Sequence, residues 1–356
     1  MNGPDYFSKN YASARSRFIA AACAAGATMD ELPLNVMGPD RLPLATEIAW
    51  LGSHEPERVI IHSSGIHGVE GFAGSAIQLA LLSTQITIPD DTALIIVHCL
   101  NPYGMAWLRR FNESNVDLNR NFVADEAERT GAADVYHQLD GLLNPSGLPG
   151  ADLFYPRAAY SILKHGMPAL RQAVAEGQYE YPKGLFYGGY EFEESTSLYL
   201  GWLSLRLRSV RKLFAIDVHS GLGKWRHESL FLRSGGPCHE DATSLGAQLG
   251  CTLVSDPTTS GAYNIRGLLS EAFEILERDF EWNFVLQEFG TYSGIRVLNA
   301  LRHENRWHHY GAGSVDHWSK RHLMAMFAPQ SPSWRKFVVE RGVSFCKKVI
   351  DQVASA

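Results

Sequence analysis

The sequence lacks the features that mark two large classes of protein. No apolar run comes near the roughly 18 consecutive residues that a membrane-spanning helix needs. Basic residues are not in excess either, since 32 lysines and arginines stand against 38 acidic residues, for a formal net charge of -6. A chain without a positive field binds a phosphate backbone poorly. We therefore expect neither a nucleic acid nor a membrane among its partners.

Cysteine is scarce, and none of the five cysteines forms a CxxC pair (Cys23, Cys99, Cys238, Cys251, Cys346). An odd number of widely spaced thiols indicates core cysteines of a reducing compartment, so we expect a cytoplasmic protein. The apolar stretch Phe18 to Ala27 resembles the hydrophobic region of a short signal peptide. Asp30 and Glu31 follow it at once without a small-x-small cleavage motif. We therefore predict an N-terminal helix that ends near Gly26.

The common catalytic motifs are also missing. The sequence contains no GxSxG elbow, HExxH helix, P-loop or GxGxxG fingerprint. It has no internal repeat and no linker long enough to separate two domains. With 356 residues, 45% of them hydrophobic and 20% charged, it has ample material for one core. We predict a single domain over residues 1–356, in which an irregular segment around residues 124–200 is an insertion that shapes a pocket.

Alternating apolar runs and helical patterns predict the fold class. Runs rich in β-branched residues predict buried strands at Arg58–His62, Ala93–Leu100, Leu213–Val218 and Asn283–Gln287. Helical periodicity predicts helices at Val69–Leu82, Ala158–Ala175, Asp241–Leu249 and Trp334–Val353. This alternation is typical of an α/β fold, and we predict a mixed, mostly parallel sheet with helices on both faces.

Candidate metal ligands follow two of the predicted strands. His67 and Glu70 lie three residues apart on a glycine-rich turn that enters a helix, so both side chains can face one ion. The spacing alone is not specific, because His54 and Glu57 share it in a polar loop. His219 closes another strand and precedes Ser-Gly-Leu-Gly. Two imidazoles and one carboxylate leave a fourth position for water, as in catalytic zinc sites, so we predict one Zn2+ ion.

A general base and a polar segment complete the candidate chemistry. Glu288 ends the apolar run Trp282–Gln287 and is the best-placed carboxylate to take a proton from water. The segment Asn115–Phe122 is dense in polar groups, and its arginine can fork onto a carboxylate or an oxyanion. The same segment is also compatible with a structural turn held by bonds from side chains to the backbone.

In chain order, these motifs resemble those of the zinc carboxypeptidase superfamily. They are His67-x-x-Glu70, Asp117-Leu-Asn-Arg-Asn-Phe122, Ile216-Asp-Val-His-Ser-Gly221 and the strand end at Glu288. The resemblance covers roughly residues 58–295. The whole chain is similar to a domain-of-unknown-function branch of that superfamily. The resemblance implies the superfamily's phosphorylase/hydrolase-type fold, with His67, Glu70 and His219 as zinc ligands and Glu288 as the activator of water.

The resemblance also implies roles for five residues around the metal. Asp117 matches the carboxylate that orients the first ligand histidine. Asn119 and Arg120 match the pair that grips the terminal carboxylate of a substrate. Arg110 matches the arginine that polarises the scissile carbonyl. Tyr263, in Ser-Gly-Ala-Tyr, is the candidate for the mobile pocket tyrosine of the family.

The assignment of Arg110 has a rival, and two aromatic segments are open to more than one interpretation. Arg109 is a close rival of Arg110, because the spacing to the Asn-Arg pair differs from that of other members. The segments Tyr181–Tyr190 and Trp307–Tyr310 are rich in aromatic residues. The first fits a pocket rim as well as a structural loop, and we interpret the second as packing.

The resulting functional expectation is a metallocarboxypeptidase that acts on a peptide or a small amino-acid amide. One alternative is a deacylase of N-acyl amino acids, similar to aspartoacylase or a desuccinylase, because it would use the same metal site and the same grip on a carboxylate. A second alternative is a non-catalytic zinc-binding module. Loss of a ligand or of the base would indicate such a module, and the sequence keeps all of them.

Overall fold

The computed structural model describes residues 3–237, 241–255 and 265–355. The strands of this part of the chain form one sheet in the order β1-β2-β4-β3-β5-β8-β6-β7. Their bounds are β1 Thr28–Met37, β2 Pro43–Gly52, β3 Arg58–Ser64, β4 Thr92–His98, β5 Lys212–Ser220, β6 Glu228–Gly235, β7 Val254–Ser255 and β8 Glu281–Phe289. Strands β4, β3, β5 and β8 run parallel at the centre, and β2 and β6 join them antiparallel on the two sides.

Helices cover both faces of this sheet. They are α1 Tyr11–Ala24, α2 Gly71–Leu82, α3 Pro102–Ala106, α4 Asp134–Leu143, α5 Phe154–His165, α6 Met167–Ala175, α7 Glu194–Arg206, α8 Ala242–Gln248, α9 Ala272–Ile275, α10 Gly294–Tyr310, α11 Trp318–Phe327 and α12 Pro332–Ser355. Neighbouring side chains of a strand point to opposite faces. Ile61 of β3 accordingly packs in one core with Trp202 of α7, and Ile60 packs in another with Phe345 of α12. The predicted fold class is confirmed.

The described helices include none that is both long enough and apolar enough to cross a membrane. Of the cysteines that the structure describes, Cys99 and Cys346 are buried, Cys23 is exposed and Cys251 is intermediate, and all of them are free thiols. The prediction of core cysteines was therefore wrong for Cys23, which lies on the solvent side of α1. Cys238 falls outside the described residues.

The predicted strands all exist, and they are β3, β4, β5 and β8. Several helix boundaries differ from expectation. The pattern over Ala158–Ala175 is not one helix, because Gly166 takes a φ of 78° and separates α5 from α6. The helix predicted from Val69 begins instead at Gly71, after the 3-10 turn Gly68–Glu70. The N-terminal helix ends at Ala24, slightly before the predicted end.

The segment around residues 124–200 carries α4, α5 and α6. Tyr136 of α4 and Phe154 of α5 share a hydrophobic cluster with Leu301 of α10. Its interpretation as a pocket-shaping insertion, and that of the chain as one domain, stay predictions.

Candidate metal centre

The site lies where the neighbouring strands β3, β5 and β8 end. Parallel strands place their carboxyl ends at one edge of a sheet, where open α/β folds bind ligands. The residues that follow β3 form the turn that carries His67 and Glu70. This turn packs tightly, because a Cβ added to Gly68 would lie 2.1 Å from the carbonyl carbon of Gly104. Backbone bonds from Gly68 N to Arg110 O (3.2 Å) and from Val69 N to Arg109 O (2.7 Å) hold it against the next segment.

Three predicted ligands converge at this edge. One side-chain ligand atom from each of His67, Glu70 and His219 lies within 4.8 Å of the others, and all three residues are buried. Glu70 Oε1 lies 3.0 Å from His67 Nδ1, and Glu70 Oε2 lies 3.3 Å from His219 Nδ1. Although Glu70 Oε1 is this close, the buried His67 Nδ1 makes no hydrogen bond of acceptable geometry among the described residues. Buried polar atoms rarely stay unpaired, and two imidazole nitrogens beside a carboxylate suit zinc, so this donor set fits a divalent metal ion.

The electrostatics of the centre favour positive charge. Burial alone would lower the pKa of His219, but the carboxylates of Asp217 and Glu70 outweigh burial and raise that pKa to about 10. Burial alone would raise the pKa of Glu70, but the imidazoles of His67 and His219 lower it below its usual range. The carboxylates of Asp217 and Glu70 therefore stabilise positive charge on the neighbouring imidazoles, and they would stabilise a cation bound at the same point.

Each ligand histidine also faces an aspartate on its other side. His67 Nε2 lies 3.2 Å from Asp117 Oδ1, and His219 Nε2 lies 2.6 Å from Asp217 Oδ2. A carboxylate at the second ring nitrogen fixes which nitrogen is left for a metal. Asp117 lies where its predicted role would require, and that role stays a prediction. Asp217 is a residue that the sequence analysis missed, although its position two residues before His219 in a strand puts both side chains on one face.

Glu288 lies beside the ligand group on the adjacent strand. It pairs with His219 in the parallel register of β5 and β8, and its Oε1 accepts a 2.9 Å hydrogen bond from Leu222 N. Burial, and then the nearby Glu70 carboxylate, raise the pKa of Glu288 to about 8. A carboxylate with a raised pKa beside a candidate metal centre suits a general base near neutral pH.

The structure separates the two rival arginines. Arg110 turns to the centre, with Nε 2.9 Å from Asp117 Oδ2, Nη1 3.2 Å from Glu70 Oε1 and Nη2 2.7 Å from His67 Nε2. Arg109 turns away into the core, where its Nε donates to Glu304 Oε1 at 2.9 Å. Arg110 is thus the arginine at the site, and its action on a scissile carbonyl stays a prediction.

Asn119 and Arg120 are buried next to the centre. Asn119 Oδ1 accepts from Leu269 N at 2.8 Å. Arg120 donates from Nε to Ala175 O at 2.9 Å and from Nη1 to Asn119 O at 2.5 Å. Within the part of the chain that the structure describes, Arg120 Nη2 makes no hydrogen bond. The guanidinium is therefore held in place with one nitrogen left for another group.

The remaining sequence features lie around this site or away from it. Tyr263 falls outside the described residues. The Tyr181–Tyr190 segment contacts two residues of the site. Tyr187 O accepts a hydrogen bond from Asp117 N at 2.7 Å, and the centre of the Phe186 ring lies 5.5 Å from the Arg110 guanidinium. In the Trp307–Tyr310 segment, the Trp307 ring stacks on the His317 ring with centroids 3.7 Å apart. This contact agrees with the interpretation of the segment as packing.

A family model and several solved structures match this chain. The family model described as "Protein of unknown function (DUF2817)" matches residues 7–341. No curated protein matches the chain.

Several solved structures are similar to this chain. Thrombin activatable fibrinolysis inhibitor aligns with a TM-score of 0.51 and 10% identity, over 98% of this chain and 75% of that chain. The bovine inhibitor in complex with tick carboxypeptidase inhibitor gives 0.48 and 11%, over 98% of both chains. Carboxypeptidase A from Helicoverpa armigera gives 0.45 and 12%, over 92% of this chain and 74% of that chain. At such identities the likeness concerns the fold alone.

Proposed function

The chain belongs to the DUF2817 family, and we propose that it is a zinc-dependent hydrolase of the carboxypeptidase type. Its substrate would be a peptide or small amino-acid amide with a free carboxylate next to the scissile bond. One observation carries the proposal: three buried ligand atoms lie within 4.8 Å of one another, and Glu288 pairs in register with the ligand His219. A metal-binding fold without catalysis would not need a buried carboxylate there.

The residues of the chain divide the work of amide hydrolysis. A zinc ion held by His67, Glu70 and His219 would supply Lewis acidity to water and to the scissile carbonyl. Glu288 would take a proton from the attacking water and pass it to the leaving amine. The bond from Leu222 N to Glu288 Oε1 fixes one carboxylate oxygen and leaves the other to move the proton.

Two arginines would orient the substrate. Arg120 is anchored through Nε and Nη1 on backbone carbonyls, so its Nη2 can bind a substrate carboxylate with little loss of side-chain entropy. Arg110 is near enough to the ligand carboxylate Glu70, at 3.2 Å, to place positive charge beside a polarised carbonyl oxygen. The carboxylate would then determine which amide bond faces Glu288.

The test combines metal content with a matched substrate panel. Zinc is measured in wild type, His219→Ala and Glu288→Gln after metal supply, and each protein is assayed on peptides with a free C-terminus and on the same peptides amidated. We expect zinc near stoichiometry in wild type and Glu288→Gln and its loss in His219→Ala. Hydrolysis should occur only in wild type and only on the free carboxylates. A folded, metal-supplied wild type without zinc would contradict the proposal.

N-acyl amino acids complete the panel, because they carry the same carboxylate on a smaller substrate. Release of an acyl acid from them, without release of a C-terminal residue from peptides, would assign the site to a deacylase. Zinc binding without hydrolysis of any substrate would indicate the non-catalytic module.

A further inference from the structure

Asp217 makes the shorter of the two contacts between an aspartate and a ligand histidine. Its Oδ2 lies 2.6 Å from His219 Nε2, and its Oδ1 accepts a 2.6 Å bond from Ser63 Oγ. Ser63 and Asp217 are direct neighbours in the parallel register of β3 and β5. Both are fully buried. Each carboxylate oxygen thus has its own short contact, and two packed strands hold the row Ser63, Asp217 and His219.

The corresponding contact of Asp117 is longer and shared. Asp117 Oδ1 lies 3.2 Å from His67 Nε2 and also accepts from Asn119 N at 3.1 Å, and Oδ2 accepts from Arg110 Nε at 2.9 Å. Arg110 Nη2 approaches the same His67 Nε2 at 2.7 Å. When His67 offers Nδ1 to a metal, its proton lies on Nε2, and the arginine then meets that nitrogen as donor to donor. Asp117 therefore holds His67 less firmly than Asp217 holds His219.

We infer that Asp217, backed by Ser63, is the main positioning residue of the metal centre. An imidazole has two tautomers, and a carboxylate that accepts from Nε2–H leaves the Nδ1 lone pair for the ion. Short charge-assisted bonds also fix the plane of the ring. The inference rests on the metal site of the proposed function. It ranks Asp217 above Asp117, which the resemblance had singled out.

The test compares isosteric variants by zinc affinity. Apo protein from wild type, Asp217→Asn and Asp117→Asn is titrated with zinc against a chromophoric chelator. We expect Asp217→Asn to weaken zinc binding by about 10-fold to 100-fold, the range found for outer partners of metal ligands. Asp117→Asn should weaken it clearly less. Cobalt-substituted Asp217→Asn should also show shifted visible bands, which a purely structural role would leave unchanged.

Ser63→Ala provides a second, milder variant, because it removes the donor to Asp217 Oδ1 and otherwise only a long 3.4 Å contact with Ile216 O. It should lower zinc affinity by a few-fold and the melting temperature in excess chelator by only about 2–4 °C. It keeps the inference testable if Asp217→Asn does not fold. Equal or larger losses in Asp117→Asn, or wild-type affinity in both Asp217→Asn and Ser63→Ala, would overturn the inference. Because the readout is metal affinity, a protein that binds zinc but hydrolyses no substrate contradicts the proposed function alone.

Discussion

Gly68 gives the most direct test of how the ligand turn is built. A Cβ at this position would lie 2.1 Å from Gly104 C, 2.3 Å from Gly104 Cα and 2.3 Å from Met105 N. All three are backbone atoms, so no side-chain rotation can relieve the contact. Ordinary carbon contacts lie at roughly 3.5–4.0 Å, so Gly68→Ala must move the turn or its neighbour by more than about 1 Å.

The expected cost follows from that displacement. Overpacking in a well-packed region costs about 1–3 kcal/mol, and we expect the upper end here. With an unfolding entropy of ~2.1 cal/mol/K per residue and 356 residues, a loss of 3 kcal/mol lowers the melting temperature by about 4 °C. Functional sites tolerate only about 0.5 Å of misplacement. The shift falls between His67 and Glu70, so zinc affinity should drop by at least about 10-fold.

Two matched variants separate the contact from the loss of glycine itself. Gly201 lies within α7, and among the described residues no atom outside its own stretch of helix lies within 4 Å of its added Cβ. Gly201→Ala should therefore stabilise the protein by about 0.5–1 kcal/mol. Gly71→Ala meets the flexible Met105 Sδ at 3.1 Å and the backbone atom Gly65 Cα at 3.3 Å. Both contacts are longer than those at Gly68, so this variant should have an intermediate effect. Melting curves in chelator and zinc titrations report both quantities. Wild-type stability and zinc affinity in Gly68→Ala would refute the reasoning.

Three further predictions concern the core, the pH dependence and the substrate grip. Arg109→Ala leaves the buried Glu304 with Lys320 as its only close cation among the described residues. Breaking a buried pair costs about 3–5 kcal/mol, and urea unfolding in chelator should show that loss of stability. A loss below about 1 kcal/mol would contradict the prediction. Burial lowers the pKa of His98 to about 4, while an unfolded histidine titrates near 6.5. As pH falls, the unfolded chain therefore takes up a proton on His98 before the folded protein does. The stability that the neutral buried ring contributes is complete above about pH 6.5, and it falls by up to about 3 kcal/mol as pH drops through about 4. His98→Gln should show a shallower loss between pH 7.5 and 5 in urea unfolding, and an unchanged slope would argue against a neutral buried ring. Arg120→Lys should reduce kcat/KM on peptides with a free C-terminal carboxylate by about 10-fold to 100-fold, because a charged hydrogen bond contributes about 1.5–3 kcal/mol. Unchanged kinetics would exclude Arg120 as the residue that binds the substrate carboxylate.

Much of the centre of this fold could be predicted from local sequence. Central parallel strands are buried on both faces and therefore read as continuous apolar runs, which is why β3, β4, β5 and β8 could be identified. The edge strand β1 is half exposed and its pattern is irregular, so it gave no such signal. His67 and Glu70 come soon after β3, and His219 lies at the end of β5. The carboxyl ends of parallel strands meet at one edge of a sheet, so the position of these residues along the strands, more than their spacing, predicted that they converge.

By itself, the sequence determined the α/β class, the order of the motifs and the identity of the candidate ligands, because these depend on periodicity and on residues close in the chain. Only the tertiary structure decided which arginine faces the candidate metal centre. Arg109 is drawn inward by Glu304, 195 residues away, and no local pattern encodes that pairing. It also decided that Asp217 meets Ser63 across 154 residues, because cross-strand register sets that contact and is fixed only when the whole sheet assembles.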